Sequence, residues 1–145
     1  MTQRFCYQAF LDTERYVFLQ DISYSTYREF IKVLLDYNLS VINIYIDRLI
    51  SDIYVDSNFD FDVKDLTCLD KLLILLTVKS YCINPEIVLE ATCPETQKTF
   101  NCSTNCNEII ITILQSNIQS SYVAEQNNLK INVTLPKTIE EFSQS

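Results

Sequence analysis

The chain of 145 residues contains no glycine, no histidine, no tryptophan and a single methionine. Each absence removes a class of chemistry. Without histidine there is no Ser–His–Asp or Cys–His pairing of nucleophile and base, and no imidazole to ligate a metal. Without glycine there is neither a phosphate-cradling loop nor a dinucleotide fingerprint, because both need backbone that a Cβ would crowd. The EF-hand loop, whose sharp turn requires glycine, is excluded with them. Average usage would place roughly ten glycines in a chain this long, so positions of positive φ fall to asparagine and aspartate, the next most tolerant residues. Asn38, Asn84, Asn101, Asn105 and the pair Asn127 and Asn128 are the candidates.

Positive charge is also scarce. Eleven basic residues face nineteen acidic ones, a formal net charge of -8, and Arg4, Arg15, Arg28 and Lys32 are scattered among acids. A nucleic-acid surface needs clustered cations to displace counterions from phosphate, and anionic lipid needs the same. The expected partners are therefore proteins, with no nucleic acid and no membrane. The longest apolar stretch, residues 69–78, is interrupted by Asp70 and Lys71 and is too short to span a bilayer. No basic segment followed by an apolar one is visible in residues 1–19, so no signal peptide is expected, and the six cysteines should be reduced thiols.

What is present is enough apolar sequence, 48% of residues, to bury a core. Residues 16–19 read as a short strand. Ser23 suits an N-cap, and Tyr27, Phe30, Ile31, Leu34 and Leu35 recur at helical spacing to about Tyr37, where Asn38 can end the helix. A second helix is predicted from Ser40 to about Tyr54 on a stripe of Ile42, Ile46, Leu49, Ile50 and Ile53. After an acidic linker at 55–61, Asp62 and Asp65 suit the first turn of a third helix that runs to about Tyr81 and stops at Asn84 and Pro85. Beyond Pro85 the period becomes strand-like at 86–92, 99–102, 108–114 and 129–135. The expected fold is α+β: a helical domain at 1–85 with a short N-terminal strand, a small antiparallel β unit at 86–136, and a polar tail at 137–145.

Few groups are placed for chemistry. Asp60 and Asp62, or Asp52 and Asp56, could share a face, yet such pairs are common on solvated acidic surfaces and do not make a glycosidase dyad. Cys6, Cys68 and Cys82 lie in apolar sequence and read as small buried hydrophobes. Cys93, Cys102 and Cys106 could contribute to a structural zinc site. One knuckle, Cys102 to Cys106, is complete; at the other, Thr96 stands where a second cysteine would finish a CxxC pair. Cys82 or Glu95 would have to supply the fourth ligand, and the alternatives are a metal-free hairpin with thiols or a disulfide. No cofactor is otherwise implied, and the chain does not read as an enzyme. Tyr7, Phe10, Tyr16, Phe18, Tyr24 and Tyr27 crowd the N-terminal region, a composition that suits either a protein–protein interface or a core.

The order of features is similar to a known family. The run Tyr27-Arg28-Glu29-Phe30-Ile31-Lys32-Val33-Leu34-Leu35 leads into a second amphipathic helix. Asp65-Leu66-Thr67-Cys68-Leu69-Asp70-Lys71-Leu72-Leu73-Ile74-Leu75-Leu76 continues to Ser80-Tyr81-Cys82-Ile83-Asn84-Pro85-Glu86-Ile87. Cys93-Pro94 and the Cys102 and Cys106 pair follow, then Thr134-Leu135-Pro136. Together these resemble the baseplate hub proteins of T4-like bacteriophages, over roughly residues 18–136. The resemblance implies a structural or assembly component of the tail baseplate hub, located in the virion and in the host cytoplasm during assembly. Its partners would be other baseplate hub or tape-measure proteins, with a homo-oligomer as a further option. It also implies a β unit like a degenerate zinc ribbon, in which Cys93, Cys102 and Cys106 match ligand positions and Thr96 replaces another. An assembly chaperone for hub proteins is a close variant, and a small zinc-binding regulatory module is the rival from another class.

Overall fold

The computed structural model describes residues 6–116 and 121–137. The chain opens with an antiparallel pair, β1 (Cys6–Phe10) and β2 (Tyr16–Gln20), in which Tyr7 and Ala9 face Leu19 and Val17 on the buried side. Alternation with period two puts those four side chains on one face. Two helices follow, α1 (Tyr24–Leu35) and α2 (Leu39–Ile53), and the chain then returns to the sheet as β3 (Tyr54–Ser57), giving the order β1-β2-β3.

The helix α3 (Cys68–Val78) crosses behind this sheet and runs directly into a π turn at Lys79–Ile83. A hairpin of β4 (Glu86–Thr92) and β5 (Thr99–Asn105) leads into α4 (Cys106–Gln115), and a second hairpin, β6 (Ser121–Gln126) and β7 (Leu129–Thr134), closes the described chain. Val17, Leu19, Ile50, Leu66, Leu73 and Ile74 are fully buried where the three-stranded sheet, α2 and α3 meet.

This architecture corrects the expected one. The molecule is not a helical domain followed by a β unit like a zinc ribbon; helices and strands are interleaved. The N-terminal sheet has three strands because β1 and β3 join the predicted one, and β3 occupies the stretch expected to be an acidic linker. The second correction is α4, where residues 108–114 suggested a strand. Ile109, Ile110, Ile111 and Ile113 favour extended backbone, but Asn105 caps the helix by accepting from the Asn107 N–H at 2.8 Å, and Glu108 sits in its first turn. Cys106, Ile110, Ile113 and Leu114 then fall on one helical face, Cys106 fully buried and the others partly buried. Packing overrides propensity here.

Local signals explain the remaining boundaries. Ser23 caps α1 as expected, accepting from Thr26 N–H at 3.2 Å. The predicted stripe of α2 is the observed one, with Ile42, Ile46, Leu49, Ile50 and Ile53 all buried. Asp62 caps only a short 3-10 turn at Val63–Asp65. The third helix starts at Cys68 instead, because Thr67 and Asp70 form a capping box, each side chain accepting from the other's backbone N–H. Asn127 and Asn128 have φ of 52 and 67, the two positive values that a two-residue hairpin turn demands. Among the described residues the other left-handed positions are Tyr37 and Gln97. Asn38 instead caps α2, and Asn84 is extended. Of the tail expected at 137–145, only Lys137 lies within the described residues.

A charged network threads the core's edge. Arg15 donates to Asp12 at 2.6 Å and to Asp70 at 3.2 Å, and its guanidinium lies 5.4 Å from the Phe59 ring centre. Lys71, only 6% exposed, reaches Asp47 at 2.7 Å and donates to the Lys137 carbonyl at 2.7 Å. These contacts join the β1–β2 turn, α2, α3 and the chain beyond β7. Burial alone would raise Asp12, but bonds from the Arg15 side chain and from the backbone N–H groups of Arg15 and Glu14 outweigh it and hold the carboxyl below its ordinary value.

Candidate interaction surface

The helical hairpin of α1 and α2 leaves several large apolar side chains exposed. Helix α1 has no fully buried residue. Its inward side is Phe30, Val33 and Leu34, packed partly against the core, with Phe30 stacked on Tyr45 of α2 at 5.7 Å between ring centres. The Tyr45 hydroxyl donates to the Thr26 carbonyl at 3.3 Å, pinning the two helices together. Burial, followed by the nearby Glu29 charge, pushes the Tyr45 phenol up.

Because Val33 rather than Ile31 completes the inward stripe, Ile31 and Leu35 turn towards solvent, one helical turn apart. The chain then reverses through Asp36, Tyr37 and Asn38, and α2 begins with Leu39, Val41 and Ile44 also exposed. Leu35, Tyr37 and Ile44 retain 64%, 82% and 66% of their surface. Six large apolar side chains thus gather around one corner, a concentration that marks an interaction site more than scattered exposure does.

Tyr37 is the informative member. Its φ of 54 places a bulky residue in left-handed backbone, at a cost of about 1–2 kcal/mol. In a chain without glycine the turn must be made by some other residue, yet Asn38 stands next to it and is used as a cap. The strain therefore projects an aromatic ring into solvent. Tyr24 adds a second exposed ring at the start of α1, with the Arg28 guanidinium 5.9 Å from its centre.

The aromatic crowd flagged in the sequence divides. Tyr7 is buried and stacked on Tyr81 at 4.9 Å; burial, then the Cys82 contact and the Asp21 charge, pushes its phenol up. Phe10, Tyr16 and Phe18 make edge contacts with one another along the sheet. Tyr24, exposed, and Tyr27, half-buried, lie on α1 at the end away from the α1–α2 turn. The helical spacing put Ile31 and Leu35 on the apolar stripe of α1, yet both are exposed, because Val33 and not these two packs inward with Phe30 and Leu34; Tyr37, Val41 and Ile44 carry no local signal that they stay exposed.

The six cysteines are all thiols, and the three proposed as ligands do not meet. Cys93 lies at the tip of the β4–β5 hairpin opposite Lys98, Cys102 lies mid-strand opposite Leu89, and Cys106 lies at the base opposite Pro85. At about 3.3 Å per residue, Cys93 and Cys106 stand roughly 26 Å apart along the hairpin, whereas ligands of one zinc stand about 2.3 Å from the metal. Cys82 is elsewhere, 3.4 Å from the Tyr7 hydroxyl and 3.5 Å from Asp21. Glu95 sits in the tip turn, exposed. Among the described residues no group of three or more metal-ligating side chains converges. Cys6 is exposed and Cys68 and Cys82 are half-buried, so the fully buried cysteine is Cys106. Cys93 has its own polarity: the Thr96 hydroxyl, then the backbone N–H groups of Thr96 and Glu95, hold its thiol below the ordinary value.

Among the described residues no helix is long and apolar enough to cross a membrane. The chain matches no protein-family model, no curated protein and no solved structure in these comparisons.

Proposed function

We propose that this chain is a non-catalytic assembly subunit that works through protein–protein contacts at the α1–α2 corner, as a structural or assembly component of a bacteriophage tail baseplate hub. The observation that supports contact at this corner is the exposed cluster of Ile31, Leu35, Tyr37, Leu39, Val41 and Ile44 around a strained tyrosine. Anchors of this kind supply affinity when a partner desolvates them. The net charge of -8 favours basic partners and slows encounters with acidic ones. The hub setting rests on the sequence resemblance, with hub or tape-measure proteins as the partners.

The test is co-expression with the hub and tape-measure proteins encoded beside its gene, followed by size-exclusion chromatography. The wild-type chain should co-elute with one of them, and Leu35→Asp with Ile44→Asp should abolish co-elution, while Ile111→Asp on α4 should not. Co-elution with none of these proteins refutes the hub setting. Co-elution that survives the double substitution refutes the corner as the contact.

A further inference from the structure

The β4–β5 hairpin is a two-stranded sheet whose two edges are treated differently. Backbone bonds from Cys93 N–H to the Lys98 carbonyl (2.9 Å) and from Cys106 N–H to the Pro85 carbonyl (2.7 Å) fix its parity. In an antiparallel pair, groups bonded to the partner alternate with groups pointing away. Residues 100, 102 and 104 therefore direct their backbone towards β4, and residues 99, 101, 103 and 105 direct theirs to the outer edge.

On β4 the outward groups begin at Glu86, and they are already occupied. The Glu86 N–H donates to the Asn84 side chain at 3.1 Å, and its carbonyl accepts from Lys79 Nζ at 2.7 Å. Glu86 and Glu90 add charge to that edge. Natural sheet edges are guarded by such charges, by proline or by bulges. The β5 edge has none of these. Thr99-Phe100-Asn101-Cys102-Ser103-Thr104-Asn105 carries no charge and no proline, pairs with β4 without a bulge, and is exposed from Thr99 to Ser103.

We infer that the β5 edge pairs with β5 of a second copy of this chain, forming a four-stranded antiparallel sheet β4-β5-β5-β4 across a two-fold axis. The strand has seven residues, so antiparallel self-pairing centres on Cys102 and sets Asn101 opposite Ser103 of the other copy. That register uses the outward groups of residues 101 and 103 as the hydrogen-bonded pair, in agreement with the parity above. An uncharged strand is also the segment that a chain of net charge -8 can bring against its own copy without repulsion. Because Glu86 closes the start of the other edge and charge guards its middle, the pairing ends at a dimer rather than continuing into a fibre.

The pairing also relieves the hairpin. Leu89, Phe100 and Cys102 lie on one exposed face, and two strands alone are marginal in water. Four strands join the two faces into one band, with Phe100 beside Thr104 of the other copy. The two Cys102 residues meet at a pair not hydrogen-bonded across the axis, where Cα atoms stand about 4.5 Å apart, within the reach of a disulfide. The inference stands apart from the hub setting and uses a different surface from the α1–α2 corner.

The experiment is light scattering on the reduced full chain at tens of micromolar, followed by mild oxidation with diamide and a non-reducing gel. The expected mass is twice 16.9 kDa, and oxidation should give a covalent dimer that Cys102→Ser abolishes while leaving the non-covalent dimer intact. Asn101→Lys with Ser103→Lys, both exposed in the monomer, places lysines opposite lysines and should give monomers with an unchanged circular dichroism spectrum. A monomeric wild-type chain, a covalent dimer that persists in Cys102→Ser, or a dimer indifferent to the lysine pair would each overturn the inference.

Discussion

Replacing Lys71 by methionine should destabilise the protein by about 3 kcal/mol. The ammonium contacts Asp47 Oδ1 at 2.7 Å in an ion pair outside hydrogen-bonding angles, and that buried oxygen has no hydrogen-bond donor. Methionine keeps most of the aliphatic stem, so packing on α3 changes little. What is lost is the countercharge of Asp47 and the donor to the Lys137 carbonyl. Removing one member of a fully buried pair costs about 3–5 kcal/mol. The Asp47 side chain retains 27% of its surface, so water offsets part of this and about 2 kcal/mol remains. The lost bond from Lys71 to the Lys137 carbonyl adds about 1 kcal/mol. At this chain length the sum lowers Tm by roughly 10 °C. Urea denaturation at pH 7, followed by circular dichroism, measures it. Asp47→Asn in the Lys71→Met background should recover a third or more of the loss, because the uncompensated charge is gone. A single variant within about 0.5 kcal/mol of wild type, or a double variant that is strictly additive, would show that the pair does not stabilise the fold.

Three further outcomes follow from particular residues. Tyr37→Gly relieves left-handed strain and should raise stability by about 0.5–1 kcal/mol, after the entropy glycine adds to the unfolded chain, while weakening partner binding; equal or lower stability in urea would contradict the strain. Asp12 has a folded-state pKa below its ordinary 3.8, so its contribution is present above that value and lost as pH falls through the lower folded one. Asp12→Asn should flatten the acid limb of the stability curve below about pH 4, and an unchanged limb argues against the Arg15 pairing. Cys93, held low by Thr96, should react with iodoacetamide at a lower pH in the wild type than in Thr96→Val; identical rate profiles for Cys93, read by mass spectrometry, would remove the assigned polarity.

The missing histidines and glycines, read from the residues alone, removed His-based chemistry and phosphate loops, and the local motifs were equally legible. Ser23 as a cap, the α2 stripe from Ile42 to Ile53, the strand Glu86–Thr92 and the turn at Asn127 and Asn128 all depend on neighbours within a few residues, so their physics is written locally. What failed was non-local. Strand β3 forms only because β2 offers it an edge, and residues 106–115 form a helix because their apolar face is buried in the fold, against the extended preference of four isoleucines.

The candidate surfaces followed the same division. The sequence marked an aromatic-rich N-terminal region and a cysteine pattern, but register alone decided that Cys93, Cys102 and Cys106 lie at the tip, middle and base of one hairpin. The rotation of α1, set by Phe30, Val33 and Leu34 packing inward, decided that Leu35 and Ile31 face solvent. Composition determined what chemistry this chain lacks, because absence needs no coordinates. Which apolar groups remain exposed was decided by tertiary structure, because burial depends on what each face meets across the fold.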